Sequence, residues 1–324
     1  MKLSVVIPTC NRQERLLSLL GDLSRSTLLP LEVLVIDASD VKLDSAELAR
    51  FVGLNIRHIE SSVKSVCVQR NVGIRSARGE WVFLCDDDIE VPHDYISRLA
   101  KHAEDHPEAG AISGIVLEKE GAGWRGTWPV TSCWELLWAH AFGLSMWGEI
   151  FARGPVIDGI VNGYRRRGNH ISSAGWPVVI DFSGTHFRTP IYGLGASIIR
   201  REWLLESPYD ERLDPHGIGD NYGVALGFPA EGIHVVTDVA VRHHKSQVNR
   251  LADPRAFARR LLALHYFIKS RKERMPHVHE SRFIWSLLGQ VAFHTLKRNR
   301  PYAQAALESL VTVILGKNPL CARP

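Results

Sequence analysis

Trp81-Val82-Phe83-Leu84-Cys85-Asp86-Asp87-Asp88 joins five apolar residues directly to three acids. An unbroken apolar run of this length fits a strand buried on both faces, the form strands take in a parallel sheet covered by helices. The acids then fall at its carboxyl end. Upstream, Ser65 to Arg78 reads as a helix closed by Gly79 at the C′ position. Ile56 to Ile59, Leu31 to Ile36 and Leu3 to Ile7 read as further strands, the last ended by Pro8. Between the first two in chain order lies a helix pattern with Leu16, Leu17, Leu20 and Leu23 on one face. Downstream, Pro92 to Ala103 starts a helix with proline, and Gly110 to Leu117 is another strand. The alternation predicts an α/β fold with a mostly parallel sheet. Ligands of such sheets bind at the carboxyl ends of the strands, so Pro8-Thr9, Asp37 and Asp86-Asp87-Asp88 are expected on one rim.

The remainder is less regular. From Gly121 to about Trp203 the pattern dissolves among Gly, Pro and Trp124, Trp128, Trp134, Trp138, Trp147 and Trp176. Aromatic faces stack on sugar rings and also fill cores; Trp124, Trp128 and Trp176, beside Gly or Pro, are the expected loop residues. After Pro254 helices are expected over Arg255 to Arg271, Arg282 to Lys297 and Tyr302 to Leu315. The expected division is 1–118, an α/β nucleotide-binding half; 119–250, an irregular half of the same domain; and 251–324, a basic helical region. That last region holds eleven Lys and Arg between Arg255 and Arg300 against Glu273 and Glu280. It fits either a solvated face or a surface for anionic lipid.

Composition narrows the class. With 45% hydrophobic and 23% charged residues among 324, the chain reads as an ordinary globular protein. A net charge of +4 and no recognition motif argue against nucleic acid as a partner. Five widely spaced cysteines without a C-x-x-C, no apolar run long enough to span a bilayer and no signal-peptide pattern at Met1 give the expectation of a cytoplasmic protein.

Three features carry chemistry. Carboxylates at Asp86 and Asp88 can converge on a hard divalent ion, or form a solvated turn in which Asp88 caps the next helix. Asp220, in Gly217-Ile218-Gly219-Asp220-Asn221-Tyr222, can be a helix N-cap or a base that takes a proton from a hydroxyl. His243 and His244 follow the apolar run Val235 to Val241. Adjacent strand residues point to opposite faces, so at most one of them meets a shared ligand.

Taken together and in order, Ser4-Val5-Val6-Ile7-Pro8-Thr9-Cys10-Asn11-Arg12, Leu34-Val35-Ile36-Asp37-Ala38-Ser39, Arg70-Asn71-Val72-Gly73-Ile74 and Gly79 through Asp88 resemble the family-2 glycosyltransferases of GT-A fold, which are inverting enzymes. Tyr192 through Arg201, Tyr209-Asp210-Glu211-Arg212-Leu213 and Gly219-Asp220 extend the resemblance more loosely. The resemblance implies a D-x-D pair at Asp86 and Asp88, with Asp88 ligating Mn²⁺ or Mg²⁺ and His244 as the metal histidine, His243 the fallback. It implies a nucleotide-sugar site drawn from Pro8, Thr9, Asn11, Arg12, Asp37, Arg70, Asn71, Asp86 and Asp87, with Asp220 as general base. Ala38 stands where the family often has a second acid, so uridine is the expected base and thymidine stays open. Gly219 stands where the family usually has Glu.

The expected activity is transfer of a hexosyl or deoxyhexosyl group from a UDP- or dTDP-sugar to a hydroxyl of a glycan or lipid-linked glycan in polysaccharide biosynthesis. The basic helices would touch the inner face of the cell membrane. A non-catalytic nucleotide-sugar-binding module of the same fold is the alternative that Gly219 favours. A sugar-phosphate nucleotidyltransferase is the other, disfavoured because Pro8 to Arg12 is no Gly-rich basic loop.

Overall fold

The apolar runs become strands in a computed structural model that describes residues 1–213, 215–229, 232–245, 248 and 251–322. The first part of the chain holds β1 (Leu3–Thr9), α1 (Gln13–Ser24), β2 (Glu32–Asp37), α2 (Ser45–Leu48), β3 (Ile56–Glu60), α3 (Val66–Ser76), β4 (Trp81–Cys85), β5 (Ile89–Glu90), α4 (Tyr95–Asp105), β6 (Ala111–Glu120) and β7 (Gly123–Arg125). The stretch that sequence patterning left unassigned contains α5 (Cys133–Phe142), β8 (Met146–Trp147), α6 (Pro155–Arg167), β9 (His170–Ile171), β10 (Pro177–Val179), β11 (His186–Thr189), β12 (Ala196–Arg200) and α7 (Arg201–Glu206). Then come α8 (Asp220–Ala225), β13 (Ile233–His243), α9 (Asp253–Ser270), α10 (Glu280–Leu296) and α11 (Arg300–Ile314).

These elements fall into two compact units, one of Met1–Gly126 with Ser183–Arg250, the other of Thr127–Phe182 with Leu251–Pro324. The segment 127–182, grouped from sequence with 119–250, clusters instead with the C-terminal helices. Its weak patterning reflects short elements whose apolar faces meet helices more than a hundred residues away.

The first unit is built on a ten-stranded sheet of order β11-β13-β6-β12-β4-β1-β2-β3, with β5 on β13 and β7 on β6. β3, β2, β1 and β4 run parallel. β12 enters antiparallel between β4 and β6, and β13 lies parallel to β6. Helix α1 seats Leu16, Leu19, Leu20 and Leu23 in the core; each such side chain contributes about 2 kcal/mol on burial. Leu19 takes the place expected for Leu17, which the i, i+3, i+4, i+7 spacing permits. Helix α3 starts on the Ser65 hydroxyl, which accepts from the Val68 amide at 3.3 Å. It ends in extended backbone at Ala77, so Gly79 is not its left-handed cap. Gly79 is there because a Cβ would lie 2.6 Å from the Ser4 nitrogen on β1. Helix α4 begins after Asp94 rather than at Pro92, whose carbonyl accepts from the Tyr95 amide at 3.0 Å.

The second unit packs α5, α6 and the small sheet β8-β10-β9 around Leu136, Ile157, Val161, Tyr164 and Val178. Trp176, expected in a loop, lies in one just before β10, is buried there and donates its ring N–H to the Ser286 hydroxyl at 2.8 Å. Trp138, Phe142 and Trp285 stack in succession, with centroid spacings of 4.8 Å. Among the described residues no helix is long and apolar enough to cross a membrane.

Candidate functional site

Strand β4 delivers Asp86, Asp87 and Asp88 beside the carboxyl end of β1, and the three acids have three different surroundings. The Asp86 amide donates to the Gly195 carbonyl at 2.9 Å, just before β12. A Cβ at Gly195 would lie 2.2 Å from Asp86 Oδ2, so glycine is what leaves room for this carboxylate. Asp87 is buried and accepts from the Thr9 hydroxyl at 2.8 Å and from Arg12 at 2.9 Å. Burial pushes its carboxyl up to about 6, against the opposing pull of the Arg12 guanidinium. Asp88, equally buried, faces His243 Nε2 at 3.1 Å, with Arg12 at 3.6 Å. Arg12 also donates to the Val248 carbonyl at 3.0 and 2.7 Å. Thr9, Arg12 and Asp87 thus brace the β1–α1 turn.

The second acidic centre arrives from 150 residues downstream. Arg70 projects from α3, is buried, and donates one Nη to Asp86 at 2.5 Å and the other to Asp220. Its guanidinium also lies over the Tyr209 ring, 4.9 Å from the centroid. Asp86 and Asp220 therefore meet on a single cation, and the two acidic segments share one site. Burial raises the Asp220 carboxyl to about 6, opposed by Arg70 and by the Asn221 amide at 2.6 Å, while Asp86 adds to the rise. Asp220 is the first residue of α8, and Gly219, at φ +94°, holds the N-cap position. A glutamate at Gly219 would have to adopt left-handed backbone, which costs an L-residue about 1–2 kcal/mol. The departure from the family's Glu-Asp pair is thus tied to this turn. At Gly217, φ +61°, a Cβ would strike Val66 at 2.4 Å.

At the carboxyl end of β2, Asp37 accepts from the Ser39 amide at 2.8 Å and faces His58 Nε2 at 3.2 Å. Gln69 donates to both the Thr9 and Ile36 carbonyls at 2.7 Å, fastening the ends of β1 and β2. Pro8 lies inside β1 opposite Ile36. Asn11, at φ +57°, exchanges hydrogen bonds with Asp40, donating at 2.9 Å and accepting at 2.8 Å. Asn71, expected near the donor, is spent within the fold. Its amide donates to the Tyr209 carbonyl and Glu211 at 2.9 Å each and accepts from the Tyr209 amide at 3.0 Å. His58, Gln69 and Tyr209 were not foreseen: only their neighbours in space mark them.

The histidine pair is resolved by strand parity. His243, opposite Ile89 in β13, turns toward Asp88. His244 turns away to Glu90 at 3.3 Å and to the edge of Trp124 at 5.2 Å. The structure thus brings the fallback His243, and not His244, to the acidic turn; the expectation that one of them only would face it stands. The Asp88–His243 pair fits a divalent ion: two ligand bonds of about 2.1 Å across a 3.1 Å edge subtend about 95°, a cis pair of an octahedron.

Comparison with known proteins identifies the family and the fold. The model of the family described as glycosyl transferase family 2 matches residues 4–168. An uncharacterized glycosyltransferase YwdF of Bacillus subtilis is 33% identical over 126 residues, 39% of this chain and 47% of that protein. An uncharacterized glycosyltransferase of Haemophilus influenzae is 28% identical over 111 residues, 34% of this chain and 37% of that one. The alignments thus span less than half the length of these curated relatives. Among solved structures, S. aureus TarS 1-349 in complex with UDP-GlcNAc shares the fold at TM-score 0.56 and 16% identity, over 96% of this chain and 81% of that one. The mannosyltransferase PcManGT from Pyrobaculum calidifontis in complex with GDP-Man and Mn²⁺ does so at 0.53 and 15%, over 98% and 86%. The fold is GT-A, and with more than half its length matched by the family model, the chain belongs to glycosyl transferase family 2.

Proposed function

We propose that the chain is a metal-dependent inverting glycosyltransferase that moves a sugar from a nucleoside-diphosphate sugar to an acceptor hydroxyl, with Asp220 as base. The observation that carries this is the Arg70 bridge, which puts the donor-side acid Asp86 and the base Asp220 on one guanidinium. Asp88 and His243 are the residues that would hold Mn²⁺ or Mg²⁺, which when bound supplies positive charge to the departing diphosphate. The acceptor oxygen forms the new bond to the anomeric carbon, and the bond from that carbon to the diphosphate oxygen breaks with its electron pair. The hydroxyl proton goes to Asp220, which must be ionised to receive it. Arg70 holds Asp220 in that form and fixes its orientation. Among the described residues, the Tyr209 hydroxyl and Asn221 Oδ1 are buried without a hydrogen-bond partner, polar groups that a substrate in this site would satisfy.

Asp37, buried at the end of β2, is the acceptor for a base N–H, and uracil is the expected base with thymine next. Gly219 has a backbone reason to be glycine, which removes the main argument for a non-catalytic module. The glycan or lipid-linked acceptor, and contact with anionic lipid at the inner face of the membrane, rest on the second unit. There Trp285, Leu288, Leu296, Leu307 and Val311 are exposed among the basic residues of α10 and α11. Flotation with anionic vesicles tests that contact, and no binding at low salt would end it.

Thermal shift and transfer assays with UDP-, dTDP- and GDP-sugars, with and without Mn²⁺, test the main reading. A Mn²⁺-dependent rise in melting temperature with one donor, accompanied by release of its nucleoside diphosphate, supports it. Donor binding without turnover on any acceptor would favour the binding module.

A further inference from the structure

At the end of the sheet opposite the acids, four imidazoles converge. His102 and His106 stand one turn apart at the end of α4, His186 opens β11, and His234 lies near the start of β13. β11 and β13 are antiparallel, with His186 opposite Val236 and Arg188 opposite His234. His186 and His234 therefore share a face of the sheet. One ring nitrogen from each of the four residues can be chosen so that all lie within 4.8 Å of one another. His102 Nε2 and His234 Nδ1 are 3.1 Å apart, and the His102–His106 and His106–His186 ring centroids are 4.3 and 4.6 Å apart. His234 is fully buried, while the other three are half-buried.

We propose that His102, His106, His186 and His234 form a closed structural site for a divalent transition-metal cation, of which Zn²⁺ is the best fit. Four neutral nitrogens and no oxygen suit zinc and its neighbours, whereas Mg²⁺, Ca²⁺ and Mn²⁺ prefer oxygen. In a tetrahedron with bonds of about 2.0 Å the ligand atoms stand about 3.3 Å apart, so the longest edge contracts by about 1.5 Å on loading. His106, at the C-cap of α4, and His186, at the first residue of an edge strand, are placed to make that movement.

The surroundings match the role. Glu108 accepts from the His106 side at Nδ1, 3.4 Å away, which leaves Nε2 of that ring for the metal. A carboxylate behind a ligating histidine fixes its tautomer and orientation. Arg188 donates to the same Glu108 at 3.0 Å. Without a cation, the cluster gathers four polar rings around one short hydrogen bond. With it, the end of α4, the edge strand β11 and the start of β13 are cross-linked. This site is independent of the transferase reading, and its failure would leave that reading intact.

The test uses the full chain, stripped with chelator, equilibrated with Zn²⁺ and desalted, with bound metal measured by mass spectrometry. One equivalent should survive in the wild type and in Asp88→Ala/His243→Ala, and raise the melting temperature by about 5 °C. It should be lost in His106→Ala/His186→Ala, whose half-exposed side chains can be removed with the fold intact, as circular dichroism checks. Co²⁺ in place of Zn²⁺ should give the intense visible bands of a tetrahedral nitrogen site. Equal zinc retention by the His106→Ala/His186→Ala protein, no retained zinc in the wild type, or a pale octahedral cobalt spectrum would each overturn the proposal.

Discussion

The two ends of strand β13 hold opposite solutions to the problem of crowding ionisable groups. Near its carboxyl end His243 faces buried Asp88, and the neighbouring acids are held by Arg12 and Arg70. Near its amino end His234 joins three other imidazoles beside Arg188, which is paired with Glu108. Carboxylates cannot shed their charge cheaply at neutral pH, so the first cluster is bought with buried guanidinium groups. Imidazoles can be neutral there, which lets four of them gather. On the proposed readings the two ends would admit different cations: a hard, oxygen-seeking ion at the first, a nitrogen-seeking ion at the second.

The strongest blow to this contrast would be struck at Asp220. Asp220→Asn should keep donor binding and lower the transfer rate by about 10²–10⁴-fold, measured as nucleoside diphosphate released with acceptor present. Near wild-type turnover would remove Asp220 from the base role. Replacing Arg70 by Met should leave the buried Asp220 and Asp86 without their shared cation and cost about 3–5 kcal/mol of stability, read from urea unfolding of the variant against wild type. An unchanged midpoint would mean the bridge contributes nothing.

The pH profile sharpens the same point. Asp220 is raised to about 6 in the fold, so the base is protonated and idle below that value, and kcat should rise through about pH 6 to a plateau. In Arg70→Met the opposing pull is gone, and the acid limb should move to higher pH. The stability effect has the opposite sign. Between the unfolded value of 3.8 and about 6 the folded state holds the proton more tightly, so this group's contribution falls as pH rises through that window.

Smaller effects separate His243 from His244. His243→Ala should weaken Mn²⁺ at least tenfold, about 1.4 kcal/mol, by titration in the presence of donor. His244→Ala removes only its partly exposed Glu90 contact and should change Mn²⁺ affinity by less than about 1 kcal/mol. Equal losses in the two variants would undo the parity argument. Gly219→Ala should cost about 1–2 kcal/mol through its left-handed backbone, and a thermal unfolding midpoint equal to wild type would show that the turn relaxes.

Much of the donor side was readable beforehand. The strands β1, β2 and β4 are buried on both faces, so each appears as a nearly continuous apolar run, and the acids at the end of β4 follow without any long-range information. The three C-terminal helices were legible within a few residues. β12 was not: five residues among glycines carry too little periodicity to distinguish strand from loop, yet it sits at the centre of the sheet and brings Gly195 against Asp86. Asn71 was read as a donor contact because its place in the motif says nothing of Tyr209 and Glu211, which lie 138 and 140 residues on.

From its order of residues alone, this chain determined a parallel α/β half, an acidic strand end and a later acid, because burial and backbone geometry write periods of 2 and 3.6 into neighbouring positions. Only the tertiary structure decided that Arg70 spans Asp86 and Asp220, that His243 faces Asp88, and that four separate histidines meet. These contacts join residues far apart in the chain, and local sequence carries no record of which side chains a folded sheet brings within a few ångströms.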